Sequence, residues 1–354
     1  MGVKKGNLEM RTDDFDYDLP SGLIAQEPME PRDACRLLVL DRASGQIDHR
    51  IFRDLPDYLN KGDVLVVNET RVMPARLKGA KDETGGAVEV LLLREEYENT
   101  WECLVKPGRR IMPGAKLVFG DGVMRGLVVD RIADSGARLI RFSVDTPRTF
   151  GDVVNEIGEM PLPPYITKPL ADPSTYQTVY AREARSAAAP TAGLHFTPEL
   201  MEGIEAMGVR IARVELDVGI DTFRPVAEDD PTEHVIHKEY FRVGPLAAEI
   251  INTARAKGGK VVAVGTTSAR SLESAWDADA GEVTPQARET DLYILPGYRF
   301  RAIDALITNF HTPRSTLLMM ISAFVGRDLV MGAYHEAIEK QYRMLSFGDA
   351  MLLK

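Results

Sequence analysis

Residues 247–270, AAEIINTARAKGGKVVAVGTTSAR, decide the fold class of this 354-residue chain. Residues 247–256 have the apolar spacing of a helix, and the Lys-Gly-Gly turn after them is followed by a short apolar run at 260–264, typical of a buried strand. Residues 265–270 then begin a second helix. This succession of helix, buried strand and helix predicts an α/β domain.

The start of that second helix, Gly-Thr-Thr-Ser-Ala-Arg at 265–270, is a candidate binding loop. Backbone amides and hydroxyl groups at a helix N-terminus stabilise an anion or a carboxylate. Ordinary capping of the helix explains the same residues equally well, so both interpretations stay open.

Polar loops follow other predicted strands as well. The apolar run at 61–67 leads into Asn-Glu-Thr-Arg at 68–71, the strand at 209–216 leads into the loop at 217–225, and the strand before Thr308 leads into Thr-Asn-Phe-His-Thr at 308–312. Side chains at strand ends can converge on a ligand. A hydrogen-bonded turn with a surface arginine is the alternative for 68–71.

The stretch AAAPTAGLHF at 187–196 places one histidine in a run of small residues. Such a run lets the backbone approach a ligand closely, because little side-chain bulk intervenes. Alanine and glycine are also often buried, and a tight packing segment is the alternative that composition alone favours.

Residues 77–150 differ from the rest of the chain, because short β-prone runs at 87–93, 101–105, 116–119, 123–130 and 137–144 alternate there with Gly- and Pro-containing turns. This spacing is typical of a small barrel or sandwich. We therefore predict an inserted β domain at 77–157, within a discontinuous α/β catalytic domain of 1–76 and 158–354. Its Lys-Pro-Gly-Arg-Arg turn at 106–110 is either a phosphate-contacting patch or a solvated charged turn.

Composition indicates a globular protein, with 44% hydrophobic and 27% charged residues and a net charge of −10 that disfavours nonspecific nucleic-acid binding. The apolar run at 317–325 is too short for a membrane helix, which needs about 20 residues. Residues 1–6 lack a signal core, and we expect a cytoplasmic protein whose folded part begins at Met10. Cys35 and Cys103 lie far apart, without a CxxC motif or neighbouring histidines, which argues against a disulfide framework.

Several motifs of common chemistries are absent from the sequence. It contains no GxGxxG after a strand, no GxxxxGK[ST] and no GxSxG. His234 and His237 are three residues apart, but no adjacent motif supplies the third ligand of a catalytic zinc site.

The polar loops together resemble the S-adenosylmethionine:tRNA ribosyltransferase-isomerase family of queuosine biosynthesis, over nearly the whole chain from Met10 to Met351. The resemblance is carried by these segments: NETRVMPARL at 68–77, GEMPLPPYI at 158–166, YQTVY at 176–180, APTAGLHF at 189–196, GTTS with Arg270 at 265–270, and TNFH with STL at 308–317. Together these motifs are highly specific, although each alone is weak.

The resemblance implies transfer and isomerisation of the ribosyl moiety of S-adenosylmethionine onto 7-aminomethyl-7-deazaguanine at the wobble position of tRNA. The products would be epoxyqueuosine in the tRNA, adenine and methionine. The resemblance also implies an α/β domain carrying an inserted β-barrel, and no metal or separate redox cofactor. The expected partners are therefore tRNA and S-adenosylmethionine, a consumed co-substrate, with no membrane; the sequence does not give the oligomeric state.

The reaction needs groups that exchange protons near neutral pH, because a proton leaves C5′ beside the sulfonium and departing adenine gains one. His195 and His311 are the catalytic candidates, since imidazole titrates in that range; acid and base are not assigned between them. Arg71 and Arg270 could hold the methionine carboxylate or a tRNA phosphate, and Tyr165 could stack on a purine. The remaining substrate-binding candidates from the matching loops are Asn68, Thr191, Gly193, Thr266, Thr267, Ser268 and Asn309.

Two positions depart from the expected family pattern, since Asp217 and Asp221 stand where we expect histidine and glycine. A histidine-specific proton transfer at 217 therefore cannot be carried over to this chain, although a carboxylate could still position a ligand or act as a base. A noncatalytic RNA-binding protein that uses the β domain as a platform is the competing hypothesis. A small-molecule hydrolase or lyase is a third, weakened by the missing nucleophile motif.

Overall fold

A computed structural model describes most of the chain, namely residues 10–133, 136–145, 147–219, 222 and 224–354. Residues 1–6, which we expect to lack a signal core, are not among the described residues. Contacts between Cα atoms divide the chain into two compact units. The larger unit comprises the residues up to Thr70, Pro163–Glu183 and Ala189–Lys354, and the smaller one comprises Arg71–Leu162 and Ala184–Ala188.

The strands and helices follow one another along the whole chain. In chain order the strands are β1 (Arg36–Leu40), β2 (Ile47–Ile51), β3 (Val64–Asn68), β4 (Arg71–Val72), β5 (Arg76–Lys81), β6 (Ala87–Tyr97), β7 (Thr100–Lys106), β8 (Lys116–Phe119), β9 (Met124–Arg131), β10 (Arg138–Val144), β11 (Ala184–Ser186), β12 (Arg210–Leu216), β13 (Glu239–Val243), β14 (Val261–Val264), β15 (Trp276–Asp277), β16 (Glu282–Val283), β17 (Gln286–Thr290), β18 (Ala305–Asn309) and β19 (Ala350–Leu353). The helices are α1 (Phe150–Ile157), α2 (Pro198–Ala206), α3 (Pro245–Ala256), α4 (Gly265–Ala275), α5 (Thr316–Val325) and α6 (Arg327–Glu339).

The larger unit is built on a mixed sheet whose strand order, over the described residues, is β17-β13-β12-β3-β14-β18-β19-β1-β2. The neighbours β12, β3, β14 and β18 in its middle run parallel to one another. Their carboxyl ends therefore lie at the same edge of the sheet. In open α/β sheets this edge is where ligands bind.

Three of the four parallel strands, β3, β14 and β18, are buried along their whole length, which explains their largely apolar sequences, whereas β12 begins at the exposed Arg210. Every residue of β3, β14 and β18 is buried, as parallel strands covered on both faces require. Helix α3 and strand β14 confirm the helix and strand expected at 247–256 and 260–264. One side of the sheet packs on a core that includes Leu65, Val67, Phe196, Val264 and Ile307.

The smaller unit contains a closed antiparallel barrel, in which the described strands follow the order β10-β7-β6-β5-β8-β9. Alternate side chains fill its interior, among them Leu77, Val90, Cys103, Phe119 and Ile140, all of them fully or almost fully buried. Five of the six strands match the β-prone runs of the sequence, but β5 is not among those expected. An α/β domain with a small β-barrel, the predicted fold class, is thereby confirmed.

No single helix of the described residues is both long enough and apolar enough to cross a membrane. The pair Thr316–Val325 and Arg327–Glu339 reaches that length and composition only together, across a bend of 115°.

Candidate active site

The first cavity lies at the carboxyl edge of the four parallel strands, within the larger unit. It encloses about 530 Å³ of empty space, part of it open to solvent, which is within the range of small-molecule sites. Its walls come from the turn at 189–192, the loop after β12, the start of α4 and the loop after β18. Six of the predicted site residues line it: Tyr165, Thr191, Thr266, Thr267, Asn309 and His311.

Helix α4 points its N-terminus at this cavity. Gly265 has a φ of +85°, which residues with a Cβ rarely adopt, and it turns the chain from β14 directly into the helix. No side chain at the N-cap accepts a hydrogen bond from the first turn. The free amides and the helix dipole therefore favour a negatively charged group in the cavity.

Most of the small residues at 187–196 are buried, and Thr191–His195 within this stretch forms a short, close-packed 3-10 helix. Ala192, Gly193 and Leu194 of this helix are buried. A Cβ at Gly193 would lie 2.0 Å from the Tyr180 hydroxyl and 2.8 Å from Thr178 Cγ2, so only glycine fits. Gly193 itself does not line the first cavity. Its lack of a side chain allows this close packing, and Thr191, two residues earlier, lines the cavity.

His195 lies behind the cavity wall, 4% exposed. Its Nε2 is 3.0 Å from Asn309 Nδ2, and its Nδ1 is 3.2 Å from Cys35 Sγ. Asn309 stands between this imidazole and the cavity. Cys35 lacks a histidine neighbour in the sequence, but the fold brings His195, 160 residues away, into contact with it. Both cysteines are free thiols.

His311 lines the cavity directly. Its Nε2 is 2.8 Å from Thr308 Oγ1, its backbone amide donates to the Tyr334 hydroxyl over 2.8 Å, and its carbonyl accepts from the Tyr17 hydroxyl over 2.5 Å. These bonds fix the backbone on both sides of the imidazole. Thr308 therefore orients the ring, in the way that a neighbouring hydrogen bond sets the tautomer of a functional histidine.

Burial changes the titration of both histidines. Desolvation lowers the pKa of His311 to about 3, and it lowers the pKa of His195 to about 3 with help from the positive charges of Arg343 and Arg32. The expectation that both imidazoles titrate near neutrality is therefore wrong for the ligand-free protein. At neutral pH each is uncharged, with one N–H donor and one lone pair.

The second cavity adjoins the first and shares Thr222, Thr266, Thr267 and Leu317 with it. It holds about 640 Å³ of empty space, part of it open to solvent, and apolar side chains such as Ile236, Leu292 and Met320 line it together with His234, His237, Tyr293 and an ion pair of Arg270 with Glu239. Burial raises the pKa of Tyr293 to about 12. Two cavities therefore meet at the first turn of α4.

Arg270 lies in the second cavity's wall with its guanidinium already engaged. It pairs with Glu239, and it donates to the carbonyls of Leu292 (2.9 Å), Thr290 (3.1 Å) and His237 (3.3 Å). Glu239 in turn accepts from the Gly219 amide over 2.9 Å and from the Thr222 hydroxyl over 3.2 Å. Arg270 thus organises the wall, and its charge is neutralised within the protein.

Other predicted residues lie outside both cavities. Asn68 is fully buried; its amide nitrogen donates to the Leu216 carbonyl, and its oxygen accepts from Leu216 and Thr70, so it ties β3 to β12. Ser268 is fully buried one residue beyond the shared wall. Arg71 is exposed and belongs to the smaller unit.

Asp217 follows β12, and its backbone amide donates to the Tyr240 carbonyl over 2.9 Å; Asp221 lies outside the described residues. His234 is not helical, and its Nδ1 is 2.9 Å from a Glu228 carboxylate oxygen. Among the residues that can be described, no group of three or more His, Cys, Asp or Glu side chains is placed to hold a metal.

Sequence reasoning missed Cys35, Glu239, Thr222 and Thr308. Thr308 opens the Thr-Asn-Phe-His motif, and its place three residues before His311 is the signal that the sequence offers. Cys35 and Glu239 have no such signal, because each meets its partner only through the sheet topology.

Comparison with known proteins gives consistent results along the chain. A family model described as queuosine biosynthesis protein matches residues 12–353. The S-adenosylmethionine:tRNA ribosyltransferase-isomerase of Symbiobacterium thermophilum is 58% identical over 97% of this chain and 100% of its own length, and that of Moorella thermoacetica is 55% identical with the same coverage. The crystal structure of the S-adenosylmethionine tRNA ribosyltransferase from Thermotoga maritima is 39% identical and aligns with a TM-score of 0.55 over 96% of this chain and 100% of that one.

Proposed function

The chain belongs to the queuosine biosynthesis protein family, and from that premise we propose that the two adjoining cavities carry out the family's reaction. The enzyme transfers the ribosyl moiety of S-adenosylmethionine to tRNA and isomerises it. The acceptor is 7-aminomethyl-7-deazaguanine at the wobble position, and the products are epoxyqueuosine in the tRNA, adenine and methionine.

The observation that carries this proposal is the shared wall between the two cavities. Thr266 and Thr267 line both of them at the first turn of α4. A reaction between two substrates needs two binding spaces that meet where the bond forms. S-Adenosylmethionine occupies the first cavity in our proposal, with its methionine carboxylate at the N-terminus of α4, where the helix dipole favours negative charge.

His311 is the catalytic residue that we place against the reacting atoms. The sulfonium acidifies the C5′ protons, and the neutral imidazole supplies a lone pair to accept one. A carboxylate bound nearby raises the pKa of this imidazole towards neutrality, so that the protonated form can later deliver the proton to departing adenine. His195 belongs to the same site but acts from behind Asn309, since Asn309 separates it from the cavity.

The other candidates receive roles that follow from their surroundings. Tyr165 lines the first cavity and bonds through its hydroxyl to Ser346 over 2.7 Å, and we keep it as the aromatic partner of a purine. Thr191, Thr266, Thr267 and Asn309 provide the polar contacts. Arg270, Gly193, Asn68 and Ser268 support the walls, and exposed Arg71 is available for a tRNA phosphate.

Residues 1–76 and 158–354 act as the catalytic domain, and 77–157 act as an inserted β-barrel domain. The reaction needs no metal or separate cofactor, because the sulfonium itself activates the C5′ protons; a chelator should leave the rate unchanged in salt that keeps tRNA folded. The enzyme works in the cytoplasm, together with its tRNA.

Mass spectrometry of precursor-modified tRNA tests the function. After incubation with S-adenosylmethionine, the wobble nucleoside should gain the mass of the isomerised ribosyl group, and free adenine should appear in equal amount. Unmodified tRNA of the same sequence is the control. Binding of tRNA without adenine release would refute the proposal and favour a noncatalytic RNA-binding protein.

A further inference from the structure

A chain of hydrogen bonds runs from the protein interior to the first cavity. Cys35 Sγ is 3.2 Å from His195 Nδ1, His195 Nε2 is 3.0 Å from Asn309 Nδ2, and Asn309 Oδ1 is 3.0 Å from Thr191 Oγ1. Cys35, His195 and Asn309 are buried, whereas Thr191 is partly exposed and lines the cavity. The Thr191 hydroxyl, at the end of this series of hydrogen bonds, is therefore the group that a ligand in the cavity contacts.

The orientation of the Asn309 amide follows from its neighbours. The amide nitrogen lies 3.3 Å from the Leu345 carbonyl oxygen, which can only accept a hydrogen bond. The NH₂ group must therefore face Leu345 and His195, and the amide oxygen must face Thr191. Because an amide oxygen only accepts, the Thr191 hydroxyl has to donate its single proton to Asn309.

The tautomer of His195 follows from the same contacts. Its Nε2 faces the amide NH₂ of Asn309, so Nε2 must be the unprotonated nitrogen. Burial keeps the imidazole neutral, and its one proton is then on Nδ1, where it points at the Cys35 sulfur. The other tautomer would set two donors against each other at Nε2 and leave the sulfur without the Nδ1–H donor.

We infer that the Thr191 hydroxyl accepts a hydrogen bond from a donor group of the ligand, and that His195 and Cys35 are positioning residues that, together with the Leu345 carbonyl, hold this polarity through Asn309. The inference rests on the proposed function and deepens it. With its proton committed to Asn309, Thr191 offers only lone pairs to the cavity. Donor groups are available on both substrates: the adenine amino group and ribose hydroxyls of S-adenosylmethionine, and the ring N–H and amino groups of the deazaguanine.

Thr191→Val removes the acceptor while keeping the shape of the side chain, and Thr191→Ser keeps the hydroxyl. We expect Thr191→Val to weaken the binding of one substrate about tenfold, which is the usual effect of leaving a buried donor without a partner. Thr191→Ser should bind both substrates nearly as tightly as wild type. Calorimetric binding of S-adenosylmethionine without tRNA, and the KM for precursor tRNA, distinguish the two sources of the donor.

Analogues identify the donor and exclude a merely structural effect. An S-adenosylmethionine analogue that lacks the amino group or one ribose hydroxyl should bind about tenfold more weakly to wild type but no more weakly than the parent compound to Thr191→Val. If Thr191→Val raises the KM for precursor tRNA instead, analogues of the precursor base that lack one donor group are used in the same comparison. If the loss of affinity caused by Thr191→Val and the loss caused by the analogue simply add for every analogue, the inference is overturned.

The positioning residues have their own test, with the second buried thiol as a matched control. Nitrogen-15 NMR of labelled histidine should find His195 neutral and protonated at Nδ1; protonation at Nε2, or on both nitrogens, would overturn the inference. Cys35→Ala should weaken the same substrate as Thr191→Val, and Cys35→Ser should restore its binding. Cys103→Ala removes a fully buried barrel thiol far from any histidine in the sequence and should leave substrate binding unchanged.

Equal behaviour of the Cys35→Ala and Cys103→Ala variants would also contradict the inference. If wild type releases no adenine in the presence of precursor tRNA and S-adenosylmethionine, the proposed function fails instead. The failure of the inference and the failure of the proposed function are therefore distinguishable. The NMR result does not depend on activity.

Discussion

The two adjoining cavities use polar side chains in opposite ways. In the second cavity, Arg270 and Glu239 satisfy each other and the surrounding backbone, so that a strongly charged pair offers little to a ligand. In the first cavity, uncharged groups prevail: the neutral His311, the Thr191 hydroxyl and the amides at the start of α4. A charged residue in a motif is thus no guide to binding until its partners are known.

Breaking the ion pair should have the largest effect on stability. Arg270→Gln leaves the buried Glu239 carboxylate without its partner, which typically costs about 3 to 5 kcal/mol of unfolding free energy. Denaturant unfolding measures this loss. The double variant Arg270→Gln with Glu239→Gln should recover most of it, and a double variant as unstable as the single one would show that the pair does not act as a unit.

Changing His311 should have the largest effect on chemistry with little effect on stability. His311→Gln keeps a polar side chain but removes the proton-accepting imidazole, and we expect adenine release to fall at least about 100-fold. Single-turnover assays at saturating S-adenosylmethionine measure the step. His335→Gln, on α6 and outside both cavities, is the control, and an equal rate in both variants would remove His311 from the mechanism.

The neutrality of the two imidazoles predicts a pH effect on stability. Their pKa in the folded protein is about 3, below the unfolded value of about 6.5, so the unfolded chain binds more protons as the pH falls below 6.5. Stability should therefore fall on acidification between pH 6 and pH 4, by up to about 1.4 kcal/mol per pH unit for each histidine. The slope should be smaller in His195→Gln, and an unchanged slope would mean that His195 is not buried neutral.

The smallest effect is expected at the wall that the cavities share. Among the described residues, the buried Thr267 Oγ1 has no hydrogen-bond partner. Thr267→Val should change the unfolding free energy by less than about 0.5 kcal/mol but raise a substrate KM several-fold, because only a ligand would use that oxygen. Thermal unfolding and steady-state kinetics check both parts; a large loss of stability with an unchanged KM would assign the hydroxyl to the fold.

Much of the fold could be predicted from local sequence. The run at 260–264 and the Gly-Thr-Thr after it predict β14 and the start of α4, because a continuous apolar segment and a glycine turn leave few alternatives. Strand β5 escaped prediction because RLKGAK, after a proline, lacks a regular alternation, and the barrel neighbours β6 and β8 stabilise it.

The site was only partly predictable, since its properties depend on contacts distant in sequence. His195 and His311 could be selected from their motifs, but their low pKa values come from burial, which the motifs do not contain. The engagement of Arg270, on helix α4, depends on Glu239, which lies 31 residues earlier on strand β13. Only the sheet order brings such groups together.

The position of bound S-adenosylmethionine tests the central claim most directly. We predict that a crystal structure with a stable analogue will place its carboxylate at the amides of the first turn of α4, with the ribose within contact of His311. An analogue that binds outside the first cavity, or with no atom near His311, would contradict the account.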